Sequence, residues 1–132
     1  MSSQSQYIAF DLGAESGRCV VGTLSDERLE LSEVHRFTTP MVESMGHLWW
    51  DVLRIYQELL TGLEQAVDNF GAEFQGISVD TWGVDYALLD ADGRILGYPY
   101  HYRDSRTDDM IEHASTILPK AKIYDKTGIQ FA

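Results

Sequence analysis

Phe10-Asp11-Leu12-Gly13-Ala14-Glu15-Ser16-Gly17-Arg18 is a short apolar approach, a small-residue turn and a charged exit. The run Tyr7-Ile8-Ala9-Phe10 feeds it and Cys19-Val20-Val21 leaves it, which predicts strand, tight glycine turn, strand. An aspartate closes the first strand and an arginine opens the second. Small residues at 13, 14, 16 and 17 let backbone N–H groups converge on one point, and such a nest binds phosphate oxygens. A carboxylate beside it, Asp11, suits the Mg²⁺ that accompanies a nucleotide. An ordinary hairpin turn uses the same residue types, so both readings stand on this stretch alone. The spacing is not G-x-x-x-x-G-K-[ST]. It is not G-x-G-x-x-G opening a helix either, because Arg18-Cys19-Val20-Val21 reads as a strand.

Working outward, residues 6–11, 18–25 and 28–37 read as three antiparallel strands, the third with an imperfect alternation of Leu29, Leu31, Val34 and Phe37. Ser25-Asp26-Glu27 is a polar turn, Thr38 to Gly46 a loop, and His47-Leu48-Trp49-Trp50 a short strand. Asp51 is a helix N-cap, and Val52, Ile55, Tyr56, Leu59, Leu60, Leu63, Ala66, Val67 and Phe70 form one apolar stripe that ends at Gly71. Ile77-Ser78-Val79-Asp80 is a buried-type strand, and the strand–helix–strand order predicts parallel pairing with the first strand. A turn at 81–85 follows. Tyr86–Leu89 and Arg94–Gly97 flank Asp90-Ala91-Asp92-Gly93 as a hairpin, Thr107–Leu118 is a short amphipathic helix stopped by Pro119, and the tail carries no further element. The pattern is α/β with a mixed sheet.

Composition narrows the function. In 132 residues the net charge is −11 and the ten basic side chains form no stripe, which argues against nucleic acid and against an anionic membrane surface. No apolar run reaches membrane-span length, and the first six residues do not form a signal peptide, so a cytoplasmic protein is expected. One cysteine and four dispersed histidines do not build a zinc site, and Cys19 reads as a small core residue. Asp90-Ala91-Asp92-Gly93 fails the calcium-loop register.

Two further clusters can carry chemistry. Asp80 ends the parallel strand, where α/β sheets place ligands, and Trp82, Gly83 and Asp85 follow in the same turn. An indole can stack on a sugar ring, a glycine admits a ligand to the backbone, and a carboxylate accepts from sugar hydroxyls. Turn geometry and core packing account for these residues equally well. In Tyr102-Arg103-Asp104-Ser105-Arg106-Thr107 an Arg–Asp pair can clamp the loop, or an arginine can reach a ligand.

Taken in order, Asp11-Leu12-Gly13-Ala14 through Ser16-Gly17-Arg18, His35-Arg36-Phe37, Trp49-Trp50-Asp51, Asp80-Thr81-Trp82-Gly83-Val84-Asp85, Leu88-Leu89-Asp90, Tyr102 to Thr107 and Gly128-Ile129-Gln130-Phe131 resemble the FGGY carbohydrate kinases of the actin–hexokinase superfamily. The stretch Thr81–Asp85 is similar to the rhamnulokinase branch. The resemblance covers nearly the whole chain. It implies an α/β, ribonuclease H-like (actin/hexokinase-type) fold with a mixed sheet whose first three strands are antiparallel. Residues 1–132 would be the amino-terminal part of the first lobe, an incomplete domain without the second lobe. It further implies ATP-dependent phosphorylation of L-rhamnulose at its 1-hydroxyl, with ATP and Mg²⁺ as cofactors. Gly13, Ala14, Glu15, Ser16, Gly17 and Arg18 would lie on the phosphates, Asp11 near Mg²⁺, and Gly83, Trp82, Asp85 and Arg103 at the sugar. Glu15 departs from the small residues of such loops, since a carboxylate repels triphosphate unless it points away or meets the metal. The family's catalytic aspartate falls in a segment beyond this chain, so no catalytic residue is assigned and these residues alone are expected to be inactive. The alternative is a non-catalytic nucleotide- or sugar-binding domain derived from such a kinase. An actin-like ATPase portion fits less well with the Trp82-Gly83 turn and the hairpin after Asp85.

Overall fold

The computed structural model describes residues 4–26 and 28–130. Met1 to Ser3 of the leading segment, Glu27 of the expected polar turn and Phe131 of the last motif lie outside the described residues. β1 (Ser5–Leu12), β2 (Ser16–Ser25) and β3 (Arg28–Thr38) form an antiparallel meander, and β6 (Gly76–Thr81) lies parallel to β1 on its other side, giving the order β3-β2-β1-β6. The imperfect alternation of β3 has a cause: Cys19 pairs with His35 but Val20 pairs with Glu33, leaving Val34 as a bulge. The extra residue lets both Val34 and Phe37 reach the core.

α1 (Val52–Phe70) lays its stripe on one face of this sheet, as the periodicity predicts. Asp51 Oδ1 accepts the Arg54 amide N–H at 3.0 Å, and Gly71, at φ 82°, donates its N–H to the Val67 carbonyl at 2.8 Å. Ile8, Phe10, Cys19, Val21 and Ala66 make the first core cluster. Helix and sheet touch at Gly62, where a Cβ would stand 2.8 Å from the Cys19 Cβ and 3.0 Å from the Phe10 ring. The Cys19 thiol faces the Gly62 carbonyl at 3.6 Å, and burial pushes it up to about 11, so it is an inert packing group. The second cluster, Leu12, Phe37, Trp50 and Ile55, sits at the carboxyl end of β1.

Four local expectations are corrected. The loop expected at 38–46 contains β4 (Met41–Ser44), which pairs with β5 (His47–Trp50) as a separate two-stranded sheet. Its turn places Met45 at φ 55° and Gly46 at φ 76°, and a methionine in the left-handed region gives no turn signal in sequence. The hairpin at 86–97 reduces to one bridge, Leu89 to Ile95. Asp90 Oδ1 accepts from the Asp92 and Arg94 amides and builds the turn, but the flanks do not extend as strands. The helix expected at 107–118 is a 3-10 turn, Ser105–Thr107, then α2 (Met110–Ile117), separated by Asp109 at φ 58°. Pro119 does not only stop α2; it opens α3 (Lys120–Thr127), because its fixed φ pre-organises a following helical turn. Neither α2 nor α3 holds a buried residue. No helix among the described residues is long and apolar enough to cross a membrane.

Candidate functional site

The glycine turn is built from the chain outward. β1 and β2 separate after the pair Leu12–Gly17, and the Gly13 N–H closes the turn on the Ser16 carbonyl at 2.9 Å. Thr39, buried at 3% exposure, braces it: its N–H meets the Glu15 carbonyl at 3.1 Å and its hydroxyl meets the Gly13 carbonyl at 3.0 Å. The amides of Ala14 and Glu15 donate to no described acceptor, so two N–H groups remain at the tip, while the Glu15 side chain is exposed. Gly17 serves another purpose. A Cβ there would lie 2.4 Å from the Phe37 ring and 2.9 Å from Leu12, so this glycine is demanded by the core rather than by an approaching ligand.

On the face opposite α1 the register sets Arg36, Arg18, Asp11 and Asp80 side by side across the four strands. Arg18 Nε and Nη2 both reach Asp11 Oδ2, at 2.9 and 2.8 Å. Each side chain of that pair is about half exposed, so the contact is worth roughly 0–1 kcal/mol and exchanges easily for a ligand. Arg36 pairs with Glu33, which it holds below the usual carboxylate range.

At the other turn, Trp82 Nε1 and Trp50 Nε1 both donate to Asp85 Oδ2, at 2.7 and 2.8 Å. Val84 lies at φ 72° and is largely exposed, a strained conformation for a β-branched residue, which marks this turn as over-determined by its surroundings. A cavity of about 250 Å³ beside it is lined by Trp50, Ile55, Thr81, Trp82, Asp85 and Tyr86 among others. The structure therefore brings Trp82 and Asp85 together. Gly83 faces open space, with no atom within 4 Å of a built Cβ, and Arg103 is not among that cavity's lining residues. The Arg103 guanidinium lies over the Tyr102 ring at 5.3 Å.

The loop 99–107 is clipped along β5 by the Trp50 amide to the Pro99 carbonyl and the His101 amide to the Leu48 carbonyl, each 2.9 Å. His101 stacks on Trp50 with centroids 4.2 Å apart, and its Nδ1 accepts the Arg103 amide at 3.0 Å, which puts the proton on Nε2. Burial pushes this imidazole below its ordinary value against the charge of Asp85, so it is neutral near pH 7. The loop clamp is Asp104, 1% exposed, and its main partners are not arginine side chains. It accepts from the amides of Leu48 at 2.7 Å and Arg106 at 3.0 Å, with His47 Nδ1 at 3.2 Å. Burial pushes the Asp104 carboxyl up, but the Leu48 and Arg106 amides and then His47 outweigh it and hold it below the usual carboxylate range. A depressed folded value gives stability that is present above the unfolded value and lost as pH falls through the folded one. Asp104→Asn is expected to lower the thermal unfolding midpoint by several degrees at neutral pH, with the gap from wild type closing at acid pH. Circular dichroism melts across the acid range measure it.

Thr39, Trp50 and His101 carried no site signal in the sequence, and Asp104 showed only as one half of an Arg–Asp pair. Only Asp104, one residue before Ser105, had cap spacing that could have revealed it.

Both turns rest on one core cluster. Ala14 of the glycine turn and Trp82 of the second turn pack against Leu12, Phe37, Trp50 and Ile55. The glycine turn and the Trp82 turn are thus held together at one end of a mixed sheet. Residues 6–132 match the N-terminal domain of the FGGY family of carbohydrate kinases, and the chain belongs to that family. It is 45% identical over 125 residues to a rhamnulokinase of Bacillus subtilis, covering 95% of this chain and 26% of that protein. A rhamnulokinase of Pectobacterium carotovorum is 44% identical over 126 residues, covering 94% of this chain and 25% of that protein. The fold matches the crystal structure of a gluconate kinase from Lactobacillus acidophilus with a TM-score of 0.78 at 17% identity, over 96% of this chain and 25% of that one. The chain thus spans about a quarter of the length of the curated relatives it matches. The partial, mixed-sheet α/β fold of the actin/hexokinase type is the one the residue pattern and resemblance predict.

Proposed function

We propose that this chain is the phosphate- and sugar-contacting part of an ATP-dependent ketose kinase, the amino-terminal part of its first lobe, acting in the cytoplasm on L-rhamnulose at the 1-hydroxyl. The observation that carries the reading is the shared seat of Ala14 and Trp82 on the cluster Leu12, Phe37, Trp50 and Ile55, which sets the two turns beside one another. Identity of 44–45% to proteins named rhamnulokinase supports the ketose. The free amides at Ala14 and Glu15, with Arg18, suit phosphate oxygens. Gly13 and Ser16 shape that turn, and Gly17 keeps its base on the core. Mg²⁺ fits Asp11: the carboxylate is half exposed, Arg18 engages only its Oδ2, and Asp80 stands next in register. When bound with the nucleotide, Mg²⁺ supplies neutralisation of charge on the transferred phosphoryl group. Asp11 and Arg18 hold and orient; Gly83 leaves room; Trp82 and Asp85 receive the sugar. Arg103 stands as a neighbour of the cleft that the cavity itself does not include.

Two variants in the complete kinase polypeptide that carries this segment test the reading. Gly83→Leu meets no neighbour in the fold, so it is expected to raise the ketose KM about ten- to a hundredfold with ATP binding and the melting midpoint unchanged. Asp11→Asn removes the metal-facing charge and is expected to lower kcat by roughly a hundredfold with ketose affinity retained. Normal ketose affinity in the first and normal turnover in the second would remove Gly83 and Asp11 from these roles, whereas ligand binding without any turnover in the wild-type polypeptide would identify a non-catalytic binding domain.

A further inference from the structure

We propose that Trp50 is a positioning residue, which with Trp82 saturates one oxygen of Asp85 so that only Oδ1 is offered to a ligand hydroxyl. The inference rests on the reading that the cavity at the second turn receives a ketose. Its basis is geometric. Two indole N–H groups converge on the same carboxylate oxygen, Oδ2, at 2.8 and 2.7 Å. An indole nitrogen only donates, so neither tryptophan can exchange roles with a ligand hydroxyl. Both bonds are charge-assisted and directional. Trp50 cannot turn away: it is 2% exposed, stacked against Trp82 at 4.4 Å and His101 at 4.2 Å, and tied through its backbone N–H to Pro99. Trp82 and Asp85 converge from the two ends of the turn strained at Val84.

The carboxylate is therefore fixed by the core, while Asp85 Oδ1 takes no hydrogen bond from the described residues. The cavity beside it is lined by aliphatic Val52, Ile55, Ala87 and Pro99, by aromatic Trp50, Trp82 and Tyr86, and by Thr81. A largely apolar wall with an acceptor held in one orientation suits the C–H face of a sugar anchored by a hydroxyl. If Asp85 served only to satisfy two indole donors, its loss would cost stability and leave sugar recognition alone; a positioned acceptor moves the sugar KM.

A double-mutant cycle on the complete kinase polypeptide separates these roles. Trp50→Phe keeps the ring and deletes the N–H, and is expected to raise the L-rhamnulose KM roughly three- to tenfold with ATP KM and kcat near wild type. Asp85→Asn is expected to raise it at least tenfold, and Trp50→Phe should add nothing further in the Asp85→Asn background. Trp82→Phe repeats the cycle if Trp50→Phe folds poorly. On the ¹⁵N-labelled 132-residue chain, L-rhamnulose should shift the indole N–H resonances of Trp50 and Trp82 but not that of Trp49, whose N–H is held by the Ser44 carbonyl. An unchanged KM in Asp85→Asn would remove the sugar from this cavity and sink the reading beneath the inference. A raised KM in Asp85→Asn with the Trp50→Phe effect fully additive would keep the sugar and overturn the positioning role.

Discussion

Residues 1–132 by themselves are expected to show no sugar-dependent ADP release with ATP, Mg²⁺ and L-rhamnulose. Phosphoryl transfer is almost entirely in-line positioning with charge stabilisation on the moving group. This chain presents a turn with two free amides, one exchangeable Asp11–Arg18 pair and one wall of a cavity, all at one end of one sheet. Asp85 is the acid group nearest that cavity, and two indoles hold its Oδ2. Nothing described faces these groups from the far side to fix a nucleotide in line. A missing general base costs on the order of 10²–10⁴-fold, and lost orientation more, since effective molarities reach roughly 10⁵–10⁸ M. Ile77 and Val79 on β6 stand 60% and 53% exposed, so the purified chain is also expected to self-associate through this apolar strand. A coupled ADP-release assay decides the catalytic point. Turnover near that of a complete sugar kinase would place the catalytic residues within these 132 positions.

Gly17→Val is expected to unfold the sheet end rather than merely weaken nucleotide binding. The backbone at Gly17 is ordinary strand, so strain is not the cause; the space is. A Cβ would overlap the Phe37 ring at 2.4 and 2.6 Å and Leu12 at 2.9 Å, and two further methyl groups have nowhere to go. Phe37 and Leu12 belong to the cluster that seats both turns, so they cannot move without displacing Ala14 and Trp82. Overpacking costs about 1–3 kcal/mol and sometimes more, against a total stability of roughly 5–15 kcal/mol for a domain. Gly17→Val should fall at the top of that range, and thermal melts of the 132-residue chain measure it. Gly83→Leu, which meets open space, is the control and should melt as wild type. A wild-type midpoint in Gly17→Val would return this glycine to a purely ligand-facing role.

Local residue patterns were enough to read the sheet, its main helix and the candidate turns. Period-two and helical-period patterns are local, and they placed β1, β2, β3, α1 and β6, while the crossover rule set β6 parallel to β1. Asp51 and Gly71 were legible as caps because their hydrogen bonds lie within one helical turn. The turn residues Gly13 to Ser16 and Thr81 to Asp85 were visible as small or polar breaks between apolar runs. Tertiary structure decided what those residues face. Gly17 carries the signature of a phosphate turn, yet the space a side chain would need there is filled by Phe37, twenty residues away on β3. Trp50 shows in sequence as a strand aromatic within a family-like motif, with no sign of a partner, and its N–H finds Asp85 across the packed end of the sheet. Asp104 reads as one half of an Arg–Asp pair, but burial against β5 gives it the Leu48 amide, a partner fifty-six residues away. In each case the deciding contact joins segments distant in the chain, and residue type and spacing carry no record of such a contact until the core has brought them together.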